Sequence, residues 1–598
     1  MAATLLCVNL SNGKISKEPI AEALVRQFIG GRGLATKLLA DAVVDPSIDP
    51  LDPANPLIFA TGPLTGTFAP TGGRYMVVTK SPLTGTVACS NSGGYWGPAL
   101  RYSGYDYLKI EGAAREPVYV WINDDTVQIR SAKHLWGKLV SETEDLVRNE
   151  THPEARVACI GPAGENRGRV ACVMNDKGRA AGRSGVGAVM GAKNLKAVAV
   201  YGSKGLRVPN SQDFLQTVKT AVDAVAKSEL GSGLTMLGTA GTIDAMNKIG
   251  MLPTYNFQKG IFVHASAVNG ERVRNDFMTR NRGCHSCTIA CGRVTKITGH
   301  GKLDGHGEGP EYETIYGLGT DCGVGDLAAI IKANYLCNEL GMDTIEAGAT
   351  VATAMELAER GYIPEAHIGF PLKFGDAEAL LGLTEAMAYR KGFGDTLAEG
   401  GYRVAAKYGH PELFIGSKKQ AFAAYDPRGS VGMGLGYATS NRGACHLRGY
   451  MVSLERFGNP VKLDPFTPKE KGMWLSSLQN STAFVDASGM CLFSTMIMGA
   501  QTLADMVGHT LDMKIDERDM QRIGERIWNL ERLYNNRAGF TREDDSLPPR
   551  MLEEPLTEGS ARGHVVPLEE MLNDYYRYRG WDHDGRPTPQ KLAELGLA

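Results

Sequence analysis

The chain has 598 residues, of which 43% are hydrophobic, with 64 basic and 66 acidic side chains. Its length predicts about four compact domains, or fewer large ones, and its near-zero net charge argues against nucleic acid or an anionic membrane surface as partner. The sequence contains no run of about 18 apolar residues, so no transmembrane helix is predicted. Residues 1–13 lack the basic and apolar segments of a secretory signal. We therefore expect a soluble, globular protein of the cytoplasm.

The first two hundred residues predict a β-rich domain, because short β-favouring runs alternate with Gly and Pro turns. The predicted strands are 56–59, 75–78, 118–122, 157–160, 170–173 and 195–200. Three Gly-rich loops, 69–74, 91–97 and 179–187, place backbone N–H groups beside an arginine or an amide, which is the chemistry that holds phosphate. Each loop alone is typical of a tight turn, but three in one domain favour a large phosphorylated cofactor.

After residue 209 the pattern becomes helical. Apolar residues recur at helical spacing from Phe214 to Val225 and again from Met520 to Tyr534, which predicts amphipathic helices. The segments 328–340 and 348–360 each stop before a glycine, as capped helices do. A β-rich region followed by helical ones predicts an α+β fold with separate domains, and the Pro/Gly-rich stretch at 409–411 is the best candidate for a second boundary.

Three of the eleven cysteines predict an iron–sulfur cluster. Cys284, Cys287 and Cys291 lie within eight residues, and each iron of a four-iron cubane takes one thiolate from the protein. Cys491 follows a turn-like glycine and is the best candidate for the fourth ligand. Structural zinc is the alternative, but zinc ribbons usually show two cysteine pairs and this sequence has no second pair. Radical enzymes that use S-adenosylmethionine have the reverse spacing.

The remaining cysteines are isolated and are predicted to be buried hydrophobic side chains. They are Cys7, Cys89, Cys159, Cys172, Cys322, Cys337 and Cys445. Cys445 adjoins His446, so a nucleophilic role is the alternative there.

Two further loops, 338–343 and 486–491, have a common pattern: a polar residue is followed three positions later by Gly, and then by Met. This similarity predicts either two helix C-caps or two grips on a cofactor with two similar halves.

Motifs along nearly the whole chain resemble those of the aldehyde:ferredoxin oxidoreductase family of tungstopterin enzymes. They are Gly62-Pro-Leu-Thr-Gly66, Pro70-Thr-Gly-Gly-Arg74, Asn91-Ser-Gly-Gly-Tyr95, Ile160-Gly-Pro-Ala-Gly-Glu165, Arg179-Ala-Ala-Gly-Arg183, Gly309-Pro-Glu-Tyr-Glu313, Ala424-Tyr-Asp-Pro-Arg-Gly429 and Gly434-Leu-Gly-Tyr-Ala438. The resemblance implies a tungsten atom held by two pterin dithiolenes beside a [4Fe–4S] cluster. It also implies a β-sandwich-like platform of residues 1–207 and two helical domains, 208–416 and 417–598, closed around the cofactor.

Position by position, the resemblance assigns Cys284, Cys287, Cys291 and Cys491 to the cluster. It implies pterin contacts from Arg74, Gly93, Arg179, Gly182, Asn338, Met342, Asp343, Arg448, Asp486 and Met490. The backbone carbonyls of Asn91 and Ala180 would bind a Mg²⁺ ion that joins the two pterin phosphates, since this cation prefers oxygen ligands. Family members have Asp where this chain has Asn338, and an amide oxygen can still accept a hydrogen bond from a pterin amine.

Glu313 and His446 match the pair that lines the substrate cavity in this family. Oxidising an aldehyde to an acid needs water or hydroxide at the carbonyl carbon. A histidine can polarise the carbonyl as a donor, and a carboxylate can take a proton from water. Without the resemblance, Glu313 would be predicted as a surface carboxylate and His446 as a core histidine with its hydrogen bonds satisfied.

The expected substrate is a small-molecule aldehyde, and the expected electron acceptor is ferredoxin or a ferredoxin-like iron–sulfur subunit, with a flavin subunit as a further partner in some relatives. Other relatives bridge two subunits through a metal held by a Glu-x-x-His motif. The matching stretch here is Lys332-Ala-Asn-Tyr335, and lysine cannot ligate such an ion. We therefore do not expect that metal-bridged homodimer.

Two alternatives to aldehyde oxidation stay open. The first is the catalytic subunit of a tungsten-dependent reductase of aromatic thioesters such as benzoyl-CoA, which need not keep the water-activating pair. The second is an electron-transfer or scaffolding subunit with a cluster and no pterin. Tungsten is expected over molybdenum from the resemblance, although the chain itself does not decide, because dithiolene ligation belongs to the cofactor.

Overall fold

The computed structural model describes residues 3–598, and two six-stranded sheets make up most of its amino-terminal part. The first sheet contains β1 (Ala3–Asn9), β2 (Ile15–Ile20), β3 (Leu57–Thr61), β4 (Tyr75–Lys80), β5 (Val87–Ser92) and β6 (Tyr107–Glu111). The second contains β7 (Val118–Asn123), β8 (Thr126–Ser131), β9 (Arg156–Cys159), β10 (Val173–Asn175), β11 (Arg179–Ala181) and β12 (Leu195–Tyr201). Their orders are β2-β1-β6-β3-β4-β5 and β11-β10-β9-β12-β7-β8, antiparallel except for β1 with β6 and β7 with β12.

Helices lie around these sheets and form most of the rest of the chain. The amino-terminal helices are α1 (Glu22–Phe28), α2 (Gly31–Ala42), α3 (Trp96–Tyr102), α4 (Val140–Glu150), α5 (Pro162–Glu165) and α6 (Val186–Ala192). Next come α7 (Ser211–Ala226), α8 (Glu229–Leu237), α9 (Thr242–Lys248), α10 (Gly270–Arg272), α11 (Tyr312–Ile315), α12 (Leu327–Leu340), α13 (Thr344–Glu359), α14 (Glu365–Ile368), α15 (Ala377–Tyr389), α16 (Phe393–Leu397) and α17 (Gly401–Lys407). The last are α18 (Val431–Thr439), α19 (Lys471–Ser488), α20 (Leu492–Met498), α21 (Ala500–Leu511), α22 (Glu517–Arg537), α23 (Pro549–Glu553), α24 (Leu568–Arg579) and α25 (Pro589–Leu595).

Two small sheets interrupt the helical part. The three-stranded sheet consists of β13 (Met278–Arg282), β14 (Gly292–Ile297) and β15 (Gly305–Glu308), and the hairpin of β16 (Gly416–Ser417) and β17 (Gln420–Ala421). A β-rich region followed by a mainly helical one confirms the predicted α+β fold. The division of the helical part near residue 416 stays a prediction.

The two large sheets pack face to face as a sandwich. Alternate residues of a strand point to opposite faces, and Leu6 and Val8 of β1 share one buried cluster with Val120 and Val198 of the second sheet. Cys7, between them, points to the other face and packs in the cluster that contains α2, α19 and α22. The first sheet is therefore covered by the second sheet on one side and by helices on the other.

Except at 170–173, each predicted strand matches an observed one to within two residues at either end. Strand β10 begins only at Val173, so the prediction was wrong for residues 170–172. Their backbone bonds instead to the loop after α12, where Cys172 N–H donates to the Gly341 carbonyl and Asp343 N–H donates to the Val170 carbonyl, both at 2.9 Å. These three residues thus join the sandwich to the helical part.

The predicted helix ends are confirmed at Gly341 and Gly361, which both have positive φ angles. Helix α13, however, begins at Thr344, four residues before its predicted start. Asp343 caps this helix, because its carboxylate accepts a hydrogen bond from the Ile345 N–H at 3.1 Å. The cap places the Met342–Asp343 loop between two helices.

Among residues 3–598, no single helix is long and apolar enough to cross a membrane. One pair, α19 and α20, reaches the required length and composition only when both helices are counted, and it is bent by 116°.

Helices α19 and α22 pack so closely at Gly524 that a single added methyl group should lower the stability of the protein. A Cβ added at Gly524 would lie 2.0 Å from the Asn480 carbonyl oxygen, so Gly524→Ala should destabilise the protein by about 1–3 kcal/mol. Gly233 in α8 is the control, because nothing lies within 4 Å of its added Cβ and alanine favours helix there. Thermal unfolding at one scan rate should give a lower Tm for Gly524→Ala only; equal Tm values would contradict this packing.

Candidate active site

Glu313 and His446 lie together, although they come from different parts of the chain. Glu313 belongs to the single turn of α11, and its Oε2 accepts a hydrogen bond from the Ala424 N–H at 2.9 Å. Its Oε1 lies 3.4 Å from His446 Nε2. Both side chains are largely buried, with exposed fractions of 16% and 11%. The structure therefore forms the pair that the family motifs predict.

Burial moves the two pKa values in opposite directions. It raises the pKa of Glu313 to about 8, against the Ala424 N–H and the Arg183 charge, which lower it. It lowers the pKa of His446 to about 3, and Arg183 and Arg442 lower it further. At neutral pH the proton is therefore mainly on the Glu313 carboxyl group, and the imidazole is uncharged.

Both residues keep polar atoms without partners. Glu313 Oε1 and His446 Nδ1 are buried and form no hydrogen bond, and buried polar groups left in this way are uncommon and costly. A surface carboxylate and a satisfied core histidine, which the residue types alone suggest, are both excluded. The pair is instead free to bind a third group.

Four tyrosines surround this pair. The Tyr425 ring centre lies 5.7 Å from that of His446. The Tyr437 hydroxyl donates to the Ala423 and Tyr425 carbonyls at 3.2 Å each, and the Tyr312 hydroxyl donates to the Ala424 carbonyl. The fourth, Tyr450, packs edge-on against the Tyr425 ring at 5.3 Å between centres. These hydroxyls fix the segment whose Ala424 N–H binds Glu313.

The two similar loops of the helical part each face an edge strand of the sandwich. The first loop faces β11: Asp343 Oδ2 lies 3.2 Å from Arg183 Nε, and an added Cβ at Gly182 would lie 4.0 Å from Asp343 Oδ1. Met342 is buried in this loop. In the preceding helix, Asn338 Nδ2 donates to the Glu308 carbonyl at 2.9 Å.

The second loop continues from the last turn of α19, which contains Asp486, and this turn faces β5. Asn91 Nδ2 donates to Asp486 Oδ1 at 3.4 Å, and Arg448 Nε lies 3.9 Å from Asp486 Oδ2. Arg74 N–H donates to the Gly489 carbonyl at 3.1 Å, and Met490 is buried beyond it. Strand β5 is an edge of the first sheet and β11 is an edge of the second, and the two strands contact each other. Asn91 on β5 and Ala180 on β11 therefore belong to neighbouring edges of the sandwich.

The cysteine segment lies against the same edge. An added Cβ at Gly93 would lie 2.9 Å from Cys284 Sγ, and Arg74 Nη2 donates to Cys491 Sγ at 3.1 Å. Cys287 and Cys291 pack against α20, the helix that follows Cys491. The four predicted cluster cysteines thus come from two segments that face each other, while the other seven are buried as predicted.

In the described part of the chain, no three His, Cys, Asp or Glu side chains converge on a point that suits a single metal ion. A cubane has a different requirement, because each of its irons takes one thiolate and the four sulfurs surround the cluster. The four cysteines of the two facing segments are the residues that would hold such a cluster.

Buried guanidinium groups test whether an anionic cofactor fits. Arg442 Nε and Arg448 Nη1 are buried without a hydrogen-bond partner, while other nitrogens of both groups donate to the Cys89 carbonyl at 2.9 and 2.8 Å. Unpartnered cationic donors are what a phosphate requires. Arg448 was predicted from the family motifs and Arg442 was not, although it lies in the same segment, 441–448.

A salt bridge accounts for the charge of Arg179, another predicted cofactor residue. Its Nη2 lies 2.6 Å from Glu308 Oε1, and Arg282 Nη1 lies 2.8 Å from Glu308 Oε2.

The stretch that departs from the Glu-x-x-His motif forms hydrogen bonds within the chain. Lys332 donates to the Asp304 carbonyl at 3.2 Å, and the Tyr335 hydroxyl lies 2.7 Å from Thr295 Oγ1.

A two-sheet platform closed by helices over a buried Glu–His pair defines an enzyme with an enclosed reaction site. The family model "Aldehyde ferredoxin oxidoreductase, N-terminal domain" matches residues 5–202, and "Aldehyde ferredoxin oxidoreductase, domains 2 & 3" matches residues 216–597. The chain belongs to the aldehyde ferredoxin oxidoreductase family, which confirms the resemblance of its motifs.

Relatives match over the full length. The tungsten-containing aldehyde ferredoxin oxidoreductase of Pyrococcus furiosus is 49% identical over 597 residues, 99% of this chain and 98% of that protein. The protein of the same name from Thermococcus kodakarensis is 49% identical over 599 residues, with the same coverage. The structure is also similar to the solved active-site complex of a benzoyl coenzyme A reductase with 1,5-dienoyl-CoA, with a TM-score of 0.85, 26% identity, and coverage of 100% of this chain and 97% of the other.

Proposed function

We propose that this protein oxidises aldehydes to carboxylic acids at a tungsten–bispterin centre. The observation that carries the proposal is the buried Glu313–His446 pair, with one unpartnered atom on each side chain. The two tungsten-containing relatives at 49% identity support the same activity.

The reaction defines what the pair must do. Oxidation of an aldehyde to an acid adds one water oxygen to the carbonyl carbon and releases two protons and two electrons. The uncharged His446 can donate a hydrogen bond to the carbonyl oxygen, which makes the carbon more electrophilic. The Glu313 carboxylate can take the proton from the attacking water, and a base with a pKa near the working pH is effective in this step.

The chain would hold the cofactor with residues from both loops and both edge strands. The proposed pterin contacts are Arg74, Gly93, Arg179, Gly182, Asn338, Met342, Asp343, Arg448, Asp486 and Met490, with the Asn91 and Ala180 carbonyls on Mg²⁺. The unpartnered Arg448 nitrogen supports a phosphate at this position. These residues would hold a tungsten–bispterin centre, which would supply an acceptor for the electron pair, and the four cysteines would hold a cluster that could carry electrons outward singly.

The cysteine segment also indicates where electrons would leave. Cys284, Cys287 and Cys291 are only half-buried, so a cluster at these residues lies near the protein surface. Ferredoxin or a ferredoxin-like iron–sulfur subunit, with or without a flavin subunit, is the proposed acceptor. A one-electron carrier matches a cluster that releases electrons singly.

A second candidate function is reduction of an aromatic acyl-CoA thioester. The similarity to the benzoyl coenzyme A reductase complex, at a TM-score of 0.85, favours it. Reduction of a ring consumes protons and needs no water activation, whereas this chain has a buried carboxyl group positioned for that step. Aldehyde oxidation is therefore the function that the site supports best.

Anaerobic purification followed by metal analysis and two assays tests the proposal. We expect about one tungsten and about four irons per chain, with benzaldehyde oxidised and a low-potential dye reduced. Rapid reduction of benzoyl-CoA without aldehyde turnover would establish the second candidate instead. Protein that contains iron but neither tungsten nor molybdenum would overturn both functions.

Replacing the carboxyl group separates its proton transfer from its structural role. Glu313→Gln should keep tungsten and iron but lower kcat for benzaldehyde by about 10²–10⁴-fold, because the amide cannot take a proton. Glu311→Gln, at the residue that precedes α11, is the matched control, since the Glu311 carboxylate accepts a hydrogen bond from the Thr239 hydroxyl instead. A metal-replete Glu313→Gln enzyme with normal turnover would remove Glu313 from the mechanism.

The raised pKa of Glu313 predicts the pH dependence. Below its pKa of about 8 the group is mainly protonated and cannot act as a base, so kcat should rise with pH and level off above about 8. His446, with a pKa of about 3, stays uncharged over this range. Steady-state measurements of kcat from pH 6 to 10 test this rise. The residual activity of Glu313→Gln should not rise with pH. If kcat of that variant rises in the same way, the pH dependence belongs to another group.

A further inference from the structure

Arg183 lies where the sandwich meets three other segments of the chain. It is the second residue after β11 and is buried, and its own N–H donates to Ser90 Oγ on β5 at 3.2 Å. Its guanidinium reaches away from the sandwich, toward the helix that Asp343 caps and toward two later backbone segments. Nε lies 3.2 Å from Asp343 Oδ2, and Nη2 lies 3.3 Å from Glu346 Oε2.

The remaining hydrogen bonds of Arg183 reach the backbone that carries the Glu–His pair. Nη1 donates to the Ala444 carbonyl at 3.0 Å, two residues before His446. Nη2 donates to the Ala421 carbonyl at 2.8 Å, three residues before the Ala424 N–H that binds Glu313. One planar group thus holds both segments at a fixed distance from each other.

We propose that Arg183 is a positioning residue that sets the separation of Glu313 and His446, a role that rests on the proposed aldehyde oxidation. Lysine cannot replace this geometry, because its single ammonium group lacks the rigid fork of donors that a guanidinium presents. Neither the predicted cofactor residues nor the predicted catalytic pair includes Arg183.

Glu346 makes the arrangement rigid. Its Oε2 accepts a hydrogen bond from the Ala421 N–H at 3.0 Å and also pairs with Arg183. The Ala421 residue is therefore held at both backbone groups, through its N–H by Glu346 and through its carbonyl by Arg183. A buried charge that is paired and hydrogen-bonded in this way permits little movement.

The charge of Arg183 acts on the same pair. It opposes the burial that raises the pKa of Glu313, and it adds to the burial that lowers the pKa of His446. Other charged or titratable groups that interact with the pair are Arg442, Asp343, Cys445, Tyr312, Tyr316, Tyr425, Tyr437 and Tyr450. Loss of the Arg183 charge alone should raise the pKa of Glu313 further.

Two substitutions separate the charge from the geometry. Arg183→Gln removes both the charge and the fork of donors. We expect its kcat for benzaldehyde to fall about 10- to 100-fold, and we expect the rise of kcat with pH to move to higher pH. In Arg183→Lys the charge stays, so kcat should fall while the rise keeps its wild-type position. Tungsten and iron content, measured on each holoenzyme, identifies any loss that comes from cofactor binding.

Arg169→Gln is the matched control. Arg169 also ties the sandwich to the helical part, with Nε 2.7 Å from Glu399 Oε2 and Nη1 donating to the Pro82 carbonyl, but it does not contact the segments of Glu313 or His446. Wild-type kcat and pH dependence are expected for this variant. An equal pH displacement in Arg169→Gln, or wild-type kinetics in metal-replete Arg183→Gln, would overturn the proposal.

Crystal structures of the wild-type, Arg183→Lys and Arg183→Gln proteins provide a readout that does not depend on turnover. The Glu313–His446 separation should increase in both variants relative to the wild-type crystal. An unchanged separation would overturn the positioning role. Wild-type holoenzyme that fails to oxidise benzaldehyde would instead overturn the proposed function, and the measured separations would then decide the role of Arg183 alone.

Discussion

Pairing of buried charges between distant segments is the constraint on which this structure depends. Removing a charge from water is costly unless an opposite charge and hydrogen bonds compensate for it. Arg32 of the sandwich side forms two 2.7 Å hydrogen bonds to Glu531 of α22, and both side chains are fully buried. Arg179, whose side chain is 15% exposed, also pairs with Glu308 of β15, at 2.6 Å. Arg32 belongs to α2, and its charge is paired only when α22 packs against α2, which closes the helical part over the sandwich.

Enclosure also determines the chemistry of the site. Desolvation disfavours the charged forms of Glu313 and His446, which keeps the carboxyl protonated and the imidazole neutral near pH 7. The same burial encloses Arg442 and Arg448, each of which keeps a donor nitrogen that no protein group accepts from, and this suits an anionic group. One physical effect thus accounts both for a base whose pKa lies near the working pH and for a site that favours phosphate.

Local sequence patterns predicted the features that depend on neighbouring residues. Gly341 marks the end of α12 because a residue with positive φ closes a helix there, and apolar spacing predicted α7 and α22. The cysteine spacing indicated a cluster without any structural information. Residues 170–172 were predicted wrongly, because their backbone bonds to the distant loop after α12, and no local pattern records such a partner.

By itself, the sequence determined the α+β class, four of the helices (α7, α12, α13 and α22), the cysteine segment and, through its motifs, the family and the Glu313–His446 pair. The tertiary structure alone decided that Asn91 faces Asp486, that Arg183 holds two remote carbonyls, and that the pair keeps unpartnered atoms. The physical reason is that hydrogen bonding and desolvation depend on contacts between segments far apart in the chain, whereas helix caps, strand alternation and thiolate spacing are local.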